Sequence, residues 1–175
     1  MNIFQNWTVE DCLTLSTTIL MAIGGVFALY QWRSSIKIRR SEFLKEILNT
    51  LRFDENMAKA MYTIEYNPSW YSKDFQKSEL EFQIDKLLSF ADFICYLYDM
   101  KNISYKEFVV IKYEINRICR SNSVQSYLWN LYHFSKKNNA DGLFMRLIDY
   151  GIKENIISSE FKNNDKNLYV KYLDF

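Results

Sequence analysis

The chain has 175 residues with 22 Lys+Arg against 21 Asp+Glu, so it is close to neutral and no charge excess calls for duplex nucleic acid as a partner. Apolar residues make up 49% and charged residues 25%, which excludes wholesale disorder. One Pro and four Gly argue against a turn-rich sandwich or barrel and predict long helices, while three Cys and one His make neither a disulfide framework nor a zinc site.

Residues 1–11 contain no Lys or Arg. From Cys12 to Trp32 there is no charged residue at all, and a helix of about 20 apolar residues spans a bilayer core. Asp11 and Arg33 close the stretch, and Trp7, Tyr30 and Trp32 sit where interfacial aromatics anchor its ends. Thr8 and Asp11 stand at capping-box spacing before it. Thr14, Ser16, Thr17 and Thr18 dilute the outer half, at a cost that hydroxyl bonds back to the helix carbonyls keep modest. Arg33, Lys37, Arg39 and Arg40 follow at once, so the positive-inside bias places the N-terminus outside and the remainder in the cytoplasm. These four cations set topology, and they can also attract anionic headgroups. A cleaved signal peptide ending at Val26-Phe27-Ala28 is the rival, but Glu10 and Asp11 stand where its basic region belongs. A buried helix of a soluble core is the other alternative. On a helical wheel Thr14, Thr17, Thr18, Met21, Gly25 and Ala28 share a face whose small residues suit helix self-association.

After the span, Phe43, Leu44, Ile47, Leu48 and Leu51 keep helical spacing without a break. Asp54-Glu55 opens a second helix through about Tyr66, and Asn67-Pro68 ends it. Residues 69–77 read as a loop or short turn. Ser78 with Glu81, and Ser104 with Glu107, predict capping boxes. Behind the first, Phe82, Ile84, Leu87, Leu88, Ala91, Ile94, Cys95 and Leu97 form the inward side of the most hydrophobic helix after the span, the expected centre of the domain. Behind the second, Phe108, Ile111, Ile115 and Ile118 point inward. Further amphipathic helices carry Val124, Tyr127, Leu128, Leu131 and Phe134, then Phe144, Leu147, Ile148 and Ile152. The polar end has an aromatic finish at Leu168, Tyr169, Tyr172 and Phe175. The expected fold is all-α: a short external N-terminus over 1–11, a transmembrane helix over 12–32, a basic exit helix over 33–53, a cytoplasmic bundle over 54–157 and a polar tail over 158–175.

Catalytic chemistry is not marked in this sequence. There is no Gly-rich phosphate loop, His-Glu-x-x-His or Cys-x-x-Cys motif, and His133 has no nucleophile beside it in a known pattern. Glu81 and Asp85 share a helix face at metal-ligand spacing, but a two-iron bundle site needs paired Glu-x-x-His motifs and the chain has one His. No cofactor and no metal are expected. Lys112, Arg117 and Arg120, with Tyr113 and the Ser121-Asn122-Ser123 run, are the strongest candidate for a phosphorylated ligand such as a nucleotide second messenger. The alternative for them is a solvated face paired with Glu107, Glu114 or Asp149. Trp70-Tyr71, Trp129 and Tyr132 form a candidate docking patch for a cytoplasmic protein partner.

The runs RRSEFLKEILNTLRFDENMAKAMY and ELEFQIDKLLSFADFICYLYDMKNISYKEFVVIKYEINRI resemble an uncharacterised family of small bacterial single-span membrane proteins, a domain of unknown function. The resemblance covers about residues 33–150 and implies a basic exit helix and a helical cytoplasmic domain. That family has no known activity, so it implies no site residues. By analogy of architecture the chain is also similar to small membrane effectors of bacterial antiviral systems, in which a cytoplasmic domain senses a nucleotide signal and the spans damage the membrane. The expected function is a non-enzymatic, self-associating sensor or effector at the bacterial inner membrane. The alternative is a passive scaffold that docks a partner.

Overall fold

A computed structural model describes residues 8–162. Among these are six α-helices, two short 3-10 turns and no strand, so the chain is all-α, with a long apolar N-terminal helix followed by a helical domain. Trp7 and the aromatic finish from Leu168 to Phe175 lie outside the described residues. Two compact units, Met1–Glu46 and Ile47–Phe175, meet within the first helix.

The first unit is helical from Val9. Helix α1 (Val9–Phe53) runs 45 residues without a break. Thr8 caps it reciprocally: its backbone N–H donates to Asp11 Oδ2 at 3.0 Å, and Asp11 N–H donates to Thr8 Oγ1 at 3.3 Å. The apolar window of this helix, long enough to cross a membrane, has none of its residues buried.

The second unit begins at Ile47. Ile47 and Leu51, in the last two turns of α1, are buried in its core. Asp54 stops α1 because its backbone turns extended, with φ −69° and ψ 119°, and its carboxylate accepts the Met57 N–H at 3.0 Å to start α2 (Glu55–Tyr66). A 3-10 turn, Lys73–Phe75, leads to α3 (Glu79–Asp99). Helix α3 packs on α2 and on α6 (Met145–Lys153), and it buries Ile84, Leu87, Leu88, Ala91 and Ile94. Helix α4 (Tyr105–Arg120) starts at the expected capping box of Ser104 and Glu107 and buries Phe108, Ile111, Ile115 and Ile118. Helix α5 (Asn122–Lys137) follows after Ser121 alone, which ends one helix and caps the next.

Two details depart from the pattern read in the sequence. The Ser78 box is only half built: Ser78 Oγ accepts the Glu81 N–H at 3.2 Å, but the Glu81 carboxylate takes the Lys77 N–H instead. Lys77 has φ 61°, which swings its amide into reach. Phe82, expected inside, is 63% exposed, since burial of Ile84, Leu87, Leu88 and Ala91 turns its side of the first α3 turn outward. As expected, α3 is the central helix, on which α2, α4 and α6 all pack, while the most enclosed helix is α5, with nine of its 16 residues buried. Its polar members cost little there: Ser126 Oγ donates to Asn122 O at 2.8 Å and Asn130 Nδ2 to Ser126 O at 2.9 Å. Beyond α6, the turn Ser159–Lys162 docks through buried Phe161 beside Tyr132, with ring centres 6.3 Å apart.

Candidate functional site

In the first unit the hydroxyls of the small-residue face are turned inward to their own helix. Thr14 Oγ1 donates to Glu10 O at 2.8 Å, Thr17 Oγ1 to Thr14 O at 2.9 Å, and Thr18 Oγ1 to Thr14 O at 2.8 Å. Polar atoms satisfied within the helix are the condition for placing it in hydrocarbon. No atom lies within 4 Å of where a Cβ on Gly24 or Gly25 would stand, and Met21 is 77% exposed, so the face that also holds Ala28 is uncovered. Arg33, Lys37, Arg39 and Arg40 follow on the same helix, all exposed.

In the second unit the expected cation set divides. Lys112 and Arg117 are five positions apart on α4, roughly 140° around a helix with 3.6 residues per turn. Lys112 Nζ reaches Glu154 Oε2 at 2.6 Å, and that bond holds its pKa above the usual lysine value. Arg117 turns the other way, with Nη2 at 3.2 Å from Glu65 Oε2 on α2 and Nη1 at 3.7 Å from Glu114 Oε2. Tyr113 and Arg120 are exposed. The Ser121–Ser123 run is used by the fold: Ser121 Oγ accepts the Val124 N–H at 3.4 Å, and Ser123 donates to Pro68 O.

Around Arg117 the structure assembles groups that are far apart in sequence. The last turn of α1, one face of α2 and the side of α4 enclose a cleft of about 370 Å³. Tyr62, Glu65 and Tyr66 stand at i, i+3 and i+4 on α2 and so share its face. The two tyrosine rings stack 5.8 Å apart at 21° and remain 65% and 71% exposed. Arg52, at the end of α1, also lines the cleft, exposed and without an ion pair among the described residues. Within the wall, Arg117 Nε and Glu114 Oε2 are buried without a hydrogen-bond partner. Sequence reading isolates Arg117 but not Arg52, Tyr62, Glu65 or Tyr66. The one available signal was the i, i+4 tyrosine pair on the polar side of α2.

Two other groups resolve into structural roles. The expected aromatic docking patch is interior: Trp70, Tyr71, Trp129 and Tyr132 are each at most 7% exposed. Trp70, Tyr71 and Phe75 close around Tyr127, with ring centres 4.9 to 6.2 Å apart, because the turn after Pro68 folds back over α5. His133 packs its ring on Trp129 at 4.2 Å. Asp85 accepts the Tyr127 hydroxyl at 2.7 Å, and burial pushes its carboxyl pKa up. Asp92 likewise is raised by burial, and it caps α6 by accepting the Leu147 N–H at 2.8 Å. Among the described residues no three His, Cys, Asp or Glu stand together to hold a metal ion. No family model, curated protein or solved structure matches the chain, so its functional reading rests on these residues and this geometry.

Proposed function

We propose that this is a non-enzymatic sensor or effector module anchored in the bacterial inner membrane, with residues 1–11 outside, the helical domain in the cytoplasm, and the span self-associating. The observation that carries the reading is α1: 45 unbroken helical residues whose apolar window has no protein packed over it. Left in water, such a surface is costly at about 25 cal/mol per Å², and a bilayer removes that cost. Arg33, Lys37, Arg39 and Arg40 favour the cytoplasmic side and anionic headgroups. Thr14, Thr17, Thr18, Met21, Gly25 and Ala28 supply the helix contact between copies. A ligand on the cytoplasmic helices would shift their packing, and the helix that begins in the span ends in that core at Ile47 and Leu51, so the shift has a covalent path to the membrane. A passive scaffold would need another docking surface, since Trp70, Tyr71, Trp129 and Tyr132 are interior.

The test is the mass of the full-length protein in mild detergent, with and without Gly25→Leu. A closed oligomer that Gly25→Leu disperses supports the reading. A monomer at all working concentrations refutes self-association through the span.

A further inference from the structure

We propose that the cleft bounded by the end of α1, α2 and α4 binds a purine nucleotide, guanine in preference to adenine. The inference deepens the sensor reading and rests on it, because it names the ligand class of the cytoplasmic domain.

Four features of the cleft define the ligand. Its volume, about 370 Å³, falls within the usual range of small-molecule pockets, roughly 300–1,000 Å³. Tyr62 and Tyr66 present an exposed pair of nearly parallel rings, a platform on which a flat heteroaromatic ring stacks. Arg52 offers a guanidinium free of any carboxylate among the described residues, and its forked donors match phosphate oxygens in pairs. Glu65 completes the set. Arg117 Nη2 orients one of its oxygens from 3.2 Å, while the side chain stays 35% exposed toward the cleft.

The carboxylate selects the base. An ionised Glu only accepts hydrogen bonds. Guanine presents two adjacent N–H donors, its ring N1–H and its exocyclic amine, which fit the two lone-pair directions of one carboxylate. Adenine presents one amine beside a bare ring nitrogen, whose lone pair would face the carboxylate. Inorganic phosphate meets Arg52 but has no use for the tyrosines or for Glu65. The ligand therefore carries base and phosphate together. A base stacked on the α2 tyrosines would also lie near Arg117 and Glu114, which line the same cleft.

The experiment is calorimetric titration of the full chain in mild detergent with GTP, ATP and sodium phosphate, alongside its mass in the same buffer. The expected result is saturable GTP binding, at least tenfold tighter than ATP, with phosphate failing to compete. Arg52→Ala is expected to weaken GTP at least tenfold without lowering the melting temperature, since this side chain is exposed and unpaired. Glu65→Gln is expected to reduce the preference for GTP over ATP, and Arg120→Ala to leave binding unchanged. No heat with GTP, equal binding of ATP, or GTP binding indifferent to Arg52→Ala and Tyr66→Ala would each overturn the proposal. If GTP fails while the oligomer persists, the cleft assignment falls and the membrane reading stands. If GTP binds to a monomer, the cleft assignment stands and span association falls.

Discussion

Tyr127→Phe isolates one buried hydrogen bond. The parent side chain is 2% exposed, packed among Trp70, Tyr71 and Phe75, and its hydroxyl donates to Asp85 Oδ1 at 2.7 Å. Phe keeps the ring contacts and deletes the donor. A hydrogen bond to a charged acceptor contributes about 1.5–3 kcal/mol, and Asp85 is only partly buried, so a loss of about 1–2 kcal/mol at pH 7 follows. The pH dependence sharpens the test. Burial raises the Asp85 pKa in the folded protein above its ordinary value near 3.8, while the Tyr127 bond pulls it back down. A raised carboxyl pKa means that the folded state holds the proton more tightly. Its contribution to stability is therefore full below the unfolded pKa and is lost as pH rises through the folded one. Without the tyrosine hydroxyl the folded pKa climbs further. The deficit of Tyr127→Phe must then be largest at neutral pH and shrink on acidification, as Asp85 becomes neutral in parent and variant alike. Thermal unfolding of the full chain in mild detergent between pH 4 and 7.5, followed by tryptophan fluorescence, reads this out because Trp70 lies in the same cluster. Asp85→Asn serves as the control, since it removes the titrating group. A deficit below about 0.3 kcal/mol, or one that does not change with pH, would refute the assigned role of the bond.

Three further outcomes follow from local geometry. Gly151→Ala is expected to cost about 1–3 kcal/mol in a denaturant melt, because the new Cβ would lie 2.5 Å from Cδ1 of buried Ile157. Ser104→Ala should cost about 1 kcal/mol, and Ser78→Ala should leave the Glu81–Lys77 bond in place, so that only its own cap is lost. Iodoacetamide at pH 8 should spare Cys95 and Cys119 until denaturant is added, since burial raises both thiols, Cys119 to about 12, as mass spectrometry of digested protein would show.

Much of the secondary structure was legible in the sequence because its signals are local. A charge-free stretch from Cys12 to Trp32, a cap at Asp54, a stop at Pro68, the box at Ser104 and Glu107, and apolar residues three and four apart each act within one or two turns of chain. Those signals set the all-α class, the long first helix and the order of the helices. Partners across helices had no such signature. Lys112 and Arg117 look like one cluster in sequence, yet the angle between them on α4 sends one to Glu154 and the other to Glu65. Trp70, Tyr71, Trp129 and Tyr132 look like surface aromatics because polar neighbours surround them. They are interior because the turn after Pro68 folds back on α5. Arg52 and Tyr66 share a cleft only because the end of α1 and α2 close against α4. The sequence by itself determined where helices start, stop and turn apolar, since hydrogen bonds and side-chain spacing within a helix are short-range. The tertiary structure decided which faces meet, because that depends on the fit of whole surfaces whose residues are tens of positions apart.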